Sequence, residues 1–99
     1  MAAKVTIAFA DSAVSDLQDI LSYYEEQSTP DIGKRLVTEI ITDIELLKEQ
    51  PDMGRMVPEF ELEYLRELIH PPFRIVYRRD KKRVRIVRVW LSDRLIKLP

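Results

Sequence analysis

The chain has no cysteine and only one histidine among its 99 residues, and these two scarcities remove whole classes of chemistry. Without a thiol there is no disulfide framework, no thiolate nucleophile and no zinc–sulfur centre, and a reducing cytoplasm is the simplest home. The lone His70 leaves no HExxH helix and no close His/Asp/Glu ligand set, so neither a metal nor a cofactor is expected. Gly33 and Gly54 are the only glycines, too few for a phosphate-cradling loop, and G-x-S-x-G is missing too. No apolar run approaches the roughly 20 residues of a membrane helix, and the N-terminus lacks the charged start and apolar stretch of a signal peptide. No membrane contact is expected.

What is present suits one domain over residues 1–99, since 45% hydrophobic residues suffice for a modest core. The near-neutral net charge of −1 hides a division. Residues 1–73 hold six basic side chains against fifteen acidic ones, and residues 74–99 hold ten against two. Such segregation predicts a local basic surface for an acidic protein segment or phosphate, with no general affinity for DNA by the chain alone. The other reading is that the basic strands neutralise the acidic helices within the fold.

Val5, Ile7 and Phe9 alternate with Lys4, Thr6 and Ala8, the period of a half-buried strand. Asp11 or Ser12 is placed to cap a first helix, on which Leu17, Ile20, Leu21 and Tyr24 form an apolar stripe while Asp16, Asp19, Glu25 and Glu26 take the wet side. Thr29-Pro30-Asp31 starts a second helix. Its stripe is Leu36, Ile40, Ile44 and Leu47, and it ends before Gln50-Pro51. From there three strands are predicted, Leu62–His70, Phe73–Arg79 and Arg83–Leu91, separated by Pro71-Pro72 and Asp80-Lys81-Lys82. The order β-α-α-β-β-β predicts a two-layer α+β fold, an N-terminal strand and an antiparallel helical hairpin laid over a three-stranded antiparallel meander. Phe73, Ile75 and Tyr77 then face the helices with Leu17, Ile20, Leu21, Leu36, Ile40 and Ile44 as the expected core, and the opposite face is expected to be polar.

Catalytic candidates are few. His70 is placed for a general base or, more commonly for its type, for a strand-end role, and Glu25, Glu26, Asp43 and Glu45 read as a solvated helix face. The arginines carry more information. Arg74 and Arg78 share a strand face with Val76, and Arg66, Arg85, Arg88 and Arg94 lie in or beside the strands. Guanidinium forks clamp carboxylates and phosphates, so these six, with Trp90, are the candidate partner-binding residues; a plain solvated sheet face is the rival reading for each arginine, and the core for the tryptophan. No catalytic residue is assigned.

Val5-Thr6-Ile7-Ala8-Phe9, Asp16-Leu17-Gln18-Asp19-Ile20 with Tyr23, Pro51-Asp52-Met53-Gly54-Arg55, Leu65-Arg66-Glu67-Leu68, Phe73-Arg74-Ile75-Val76-Tyr77-Arg78 and Val84-Arg85-Ile86-Val87-Arg88-Val89 resemble the successive signatures of the ParE/RelE toxin superfamily. The resemblance spans almost the whole chain and implies the toxin of a type II toxin–antitoxin pair, held in a hetero-oligomer by an antitoxin with an acidic amphipathic tail. RelE-like members cleave mRNA on the ribosome with strand lysines, arginines and a C-terminal tyrosine or histidine; ParE-like members lack that set and inhibit DNA gyrase. Leu65 and Glu67 stand where the strand lysines belong, and no tyrosine or histidine follows Arg94. Arg74 and Arg94 match RelE-like arginines but are shared with ParE-like chains. The resemblance therefore favours the ParE-like branch and a gyrase inhibitor. An mRNA interferase and an inactive antitoxin-binding module are the alternatives, the second because Leu91 stands where the ParE-like tail often has histidine.

Overall fold

A computed structural model describes residues 5–91. The element order is β1 (Thr6–Phe9), α1 (Asp11–Glu26), α2 (Pro30–Glu45) with a 3-10 turn Leu46–Lys48, β2 (Arg55–Met56), β3 (Leu65–His70), β4 (Phe73–Arg79) and β5 (Arg83–Leu91). The expected α+β order is present, with one addition. The two-residue strand β2 joins the edge of the sheet through Arg55↔Glu67 and Met56↔Arg66, giving the order β1-β5-β4-β3-β2. Strands β3, β4 and β5 form the antiparallel meander, and β1 pairs parallel with β5.

Helix boundaries fall close to their signals, but the capping chemistry differs. Ala10 and Thr29 occupy the N-cap positions and neither makes a side-chain cap. The Ser12 hydroxyl instead donates to the Val87 carbonyl at 2.7 Å, and Thr29 donates to the Tyr24 carbonyl at 3.3 Å. Both hydroxyls are used to join segments. The strand predicted from Leu62 begins at Leu65, because the Leu65 N–H closes a turn onto the Leu62 carbonyl at 3.1 Å.

The core lies between hairpin and sheet. Ile40, Ile44 and Leu47 from the α2 side meet Ile75, Tyr77, Val84 and Ile86, all within 1% of full burial, and Ala13, Leu17 and Ile20 complete it from α1. Leu36 packs on this cluster half-buried, and Leu21 is half-buried too, so both lie at the margin of the expected core. Gly54 is where the second half of the chain crosses the sheet edge. A Cβ there would sit 2.6 Å from the Tyr77 hydroxyl and 2.7 Å from the Glu67 carbonyl. Only glycine lets the Tyr77 hydroxyl receive the Gly54 N–H at 2.9 Å while donating to the Pro51 carbonyl at 2.9 Å. Burial raises the Tyr77 phenol above its ordinary pKa, against the lowering effect of the Gly54 bond.

The face away from the helices is not simply polar. Val57, Leu65 and Val76 form a second buried cluster, with Trp90 packed against it half-buried. The segment 57–64 supplies Val57, and its Val57 N–H bonds to the Leu65 carbonyl at 3.2 Å. A segment of turns with no helix or strand thus covers part of the face that alternation assigns to solvent.

Candidate partner-binding surface

Of the six arginines selected from the sequence, the structure commits three to the fold. Arg74 is 5% exposed. Its Nε donates to Glu67 at 2.7 Å and its terminal nitrogens to both oxygens of Glu59 at 2.7 and 2.8 Å. Arg55 reaches the second oxygen of Glu67 at 2.7 Å, so two carboxylates and two guanidiniums balance in one cluster. The Glu59 hydrogen bonds, opposed by burial and reinforced by Glu67, make the Arg74 proton harder to remove than usual. Glu67 is reached only through β3 alternation, and Glu59 comes from the irregular loop.

Arg88 is committed in another way. Its Nε and one terminal nitrogen donate to the two oxygens of Asp16 at 2.9 and 2.8 Å, while its guanidinium lies 4.1 Å from the Trp90 ring centroid. Asp16, expected on the wet side of α1, is 7% exposed. The cause is a bulge: Val76 faces Arg88 but Tyr77 faces Ile86, so Val87 is an extra residue in β5. The Val89 N–H next to the irregularity donates to Asp16 at 2.8 Å. Both features leave a trace in the sequence, since Asp16 lies on the helical stripe Ala13-Asp16-Leu17-Ile20 and the adjacent apolar pair Ile86-Val87 breaks the β5 alternation.

Arg66, on the helix side of β3, is a loop staple. It donates to the Gly54 carbonyl at 2.9 Å and lies 3.8 Å from Asp52. His70 holds β3 to α2, with Nδ1 2.6 Å from Asp43 and Nε2 3.7 Å from Glu39, in keeping with a strand-end role. Among the described residues no cluster of three His, Cys, Asp or Glu is arranged for a metal. No helix is long and apolar enough to cross a membrane. Arg94 lies outside the described residues.

Arg78 and Arg85 differ from the others. They are directly opposite each other across β4 and β5, exposed, and without a carboxylate partner among the described residues. Arg78 lies 5.0 Å from the Tyr64 ring centroid, which orients the guanidinium without neutralising it. Around the sheet edge is a cleft of about 510 Å3, lined by Asp16, Ile20 and Tyr23 of α1 and by Phe73, Arg88 and Trp90. It exists because the β1–β5 pairing ends at Phe9↔Ile86, after which the chain turns into α1.

A helical hairpin on a small mixed sheet, with arginines gathered on its last two strands, defines an α+β toxin-like architecture. The chain belongs to the ParE toxin family of type II toxin–antitoxin systems, whose sequence profile matches residues 7–96. Among solved structures it is similar to a chain of the chromosomal ParDE toxin–antitoxin system of P. aeruginosa, with TM-score 0.77 and 21% identity over 93% of this chain and 100% of that one. It is also similar to a chain of the RelBE2 toxin–antitoxin complex of Mycobacterium tuberculosis, with TM-score 0.60 and 24% identity over 89% and 98%. At these identities the two likenesses concern the fold. Comparison with curated protein sequences gave no match.

Proposed function

We propose that this ParE-family toxin acts by binding its target, with DNA gyrase as that target, and that it is neutralised in the cytoplasm by a cognate antitoxin in a hetero-oligomer. The observation that carries the reading is the state of Arg74. Cleavage of RNA by 2′-hydroxyl attack needs a base, a leaving-group acid and a free cation for the developing charge. Arg74 is the described arginine that the RelE-like resemblance would assign to that cation, and it already faces two carboxylates at hydrogen-bond distance. Freeing it would take from the buried Glu67 one of its two guanidinium partners, Arg55 remaining at 2.7 Å, at a cost of about 1–3 kcal/mol. Leu65 and Glu67 in place of strand lysines point the same way.

The antitoxin contact is drawn from two complementary surfaces. The exposed Arg78 and Arg85 attract an acidic segment and govern the encounter, while the cleft beside Trp90 and Tyr23 takes an apolar anchor and governs escape. Purified toxin is expected to inhibit gyrase supercoiling, to lose that effect on adding antitoxin, and to leave mRNA uncut on ribosomes. Codon-linked cuts in the mapped mRNA would replace this reading with the interferase. Normal growth on induction without antitoxin would favour the inactive module.

A further inference from the structure

We propose that Arg78, Arg83 and Arg85 form a shelf that recognises an extended Asp/Glu-x-Asp/Glu element of a protein partner, lying on the sheet face away from the helices. The inference rests on the partner-binding reading above and adds which residues grip, what they grip and in which conformation.

The argument starts from strand geometry. Arg83 and Arg85 are two apart on β5 and share a face, so their Cα atoms are about 7 Å apart. Arg78 stands directly opposite Arg85 on the same face, with Cβ separation of about 5 Å. Like charges in directly opposed positions disfavour the sheet. Neither Arg78 nor Arg85 is relieved by a carboxylate among the described residues, in contrast with Arg74 and Arg88 on the same face. Arg83 is only loosely engaged, 3.9 Å from an exposed Asp80, an ion pair of little strength.

Next to the arginines, β1 places Thr6 opposite Arg83 and Ala8 opposite Arg85. These short side chains leave the guanidiniums standing above a low floor, with Tyr64 buttressing Arg78. An extended peptide repeats same-side carboxylates about every 7 Å, the Arg83–Arg85 spacing. One carboxylate then meets Arg83, and the next is shared between Arg85 and Arg78 in charge-assisted hydrogen bonds. A helical acidic segment would not match, because its same-face carboxylates recur at about 5–6 Å, every third or fourth residue. A long nucleic acid is disfavoured by extent: the shelf is three arginines wide, and residues 1–73 hold fifteen acidic against six basic side chains.

The experiment titrates the intact protein with synthetic peptides at low salt, followed by calorimetry. The probes are a capped peptide alternating Glu and Thr, a peptide of equal charge with its glutamates contiguous, and a single-stranded oligonucleotide. Arg78→Gln with Arg85→Gln is expected to weaken the alternating peptide about tenfold or more with thermal midpoint unchanged or raised. Arg35→Gln with Lys34→Gln on exposed positions of α2, the same change in charge, is expected to change it less than about twofold. Equal losses in the two variants would reduce the effect to net charge, and equal affinity for the contiguous peptide would remove the extended element. Tighter binding of the oligonucleotide would replace the peptide by nucleic acid. Each overturns the proposal. Gyrase inhibition by the parent protein and by the double variant, measured in parallel, keeps the two readings apart: retained inhibition with lost peptide binding in the variant leaves both standing, and peptide binding that the parent shows and the variant loses, without any inhibition by the parent, rejects the gyrase reading alone.

Discussion

On the helix side of the sheet, Ile40, Ile44 and Leu47 close against Ile75, Tyr77 and Ile86 chiefly with apolar surface. On the other side, closure is made by a loop, a small Val57–Leu65–Val76 cluster and the ion pairs of buried Arg74 with buried Glu67 and with Glu59 at the rim. The first face is held by burial that has no directional demand. The second is held by charges whose burial is tolerable only while each is paired. That difference sorts the strand arginines of the second face: Arg74 and Arg88, which neutralise buried carboxylates, are parts of the fold, and Arg78 and Arg85, which do not, are left for a partner.

The largest effects are expected where either form of closure is broken. Ile75→Ala on the helix side should cost about 2–5 kcal/mol in denaturant unfolding. Glu67→Ala on the other side should cost about 1–3 kcal/mol, because the Arg74 Nε loses its acceptor while Glu59 still holds the terminal nitrogens. A loss below about 1 kcal/mol for Glu67→Ala, the size of a surface pair, would mean that the second face is solvated after all. Replacing the two buried members of the cluster, Glu67→Leu with Arg74→Met, is expected to recover part of the loss, since Arg55 and Glu59 lie at its exposed rim, whereas no second substitution of that kind repairs Ile75→Ala. Asp16→Ala should cost about 2–3 kcal/mol by removing the Arg88 pair and the Val89 N–H acceptor together.

Alkaline pH separates the two closures more gently. Tyr77 has its folded pKa raised by burial, so its contribution is fully present below the unfolded value of about 10 and is lost as pH rises through the folded value. Unfolding midpoints measured from pH 9 upward should fall more steeply for the parent protein than for Tyr77→Phe, which lacks the titrating phenol. The smallest effect is expected for Arg78→Gln with Arg85→Gln, within about 0.5 kcal/mol of the parent, since no carboxylate is deprived of a partner. Their association rate with an acidic partner should nevertheless drop and lose salt dependence in stopped-flow.

The contrast between the faces also explains what was legible in the residue order. The α1 and α2 stripes, the β3–β5 meander and the burial of Ile40, Ile75 and Tyr77 follow from periods of 3.6 and 2, which survive in a single sequence. Two-residue β2 is too short to carry a period. The cover over the second face comes from residues 57–64, where Glu59 has no regular spacing to link it to Arg74, fifteen positions away. Alternation placed Arg74 and Arg78 on one face correctly, but equal placement says nothing of unequal pairing. Asp16 and the Val87 bulge were readable from an interrupted stripe and an interrupted alternation, each of which looks like noise until the two are placed side by side.

The division of the arginines can be measured at their own N–H groups. In a spectrum of the 15N-labelled toxin at slightly acidic pH, with arginine Nε–Hε signals assigned by substitution, the Arg74 signal should exchange slowly with water and stay fixed as the alternating Glu–Thr peptide is added. The Arg78 and Arg85 signals should exchange fast and shift with the peptide. An Arg74 signal that exchanges as fast as that of Arg85, or that moves with the peptide, would contradict the account, because Arg74 would then be a binding group and the closed ion-pair face would not exist in solution.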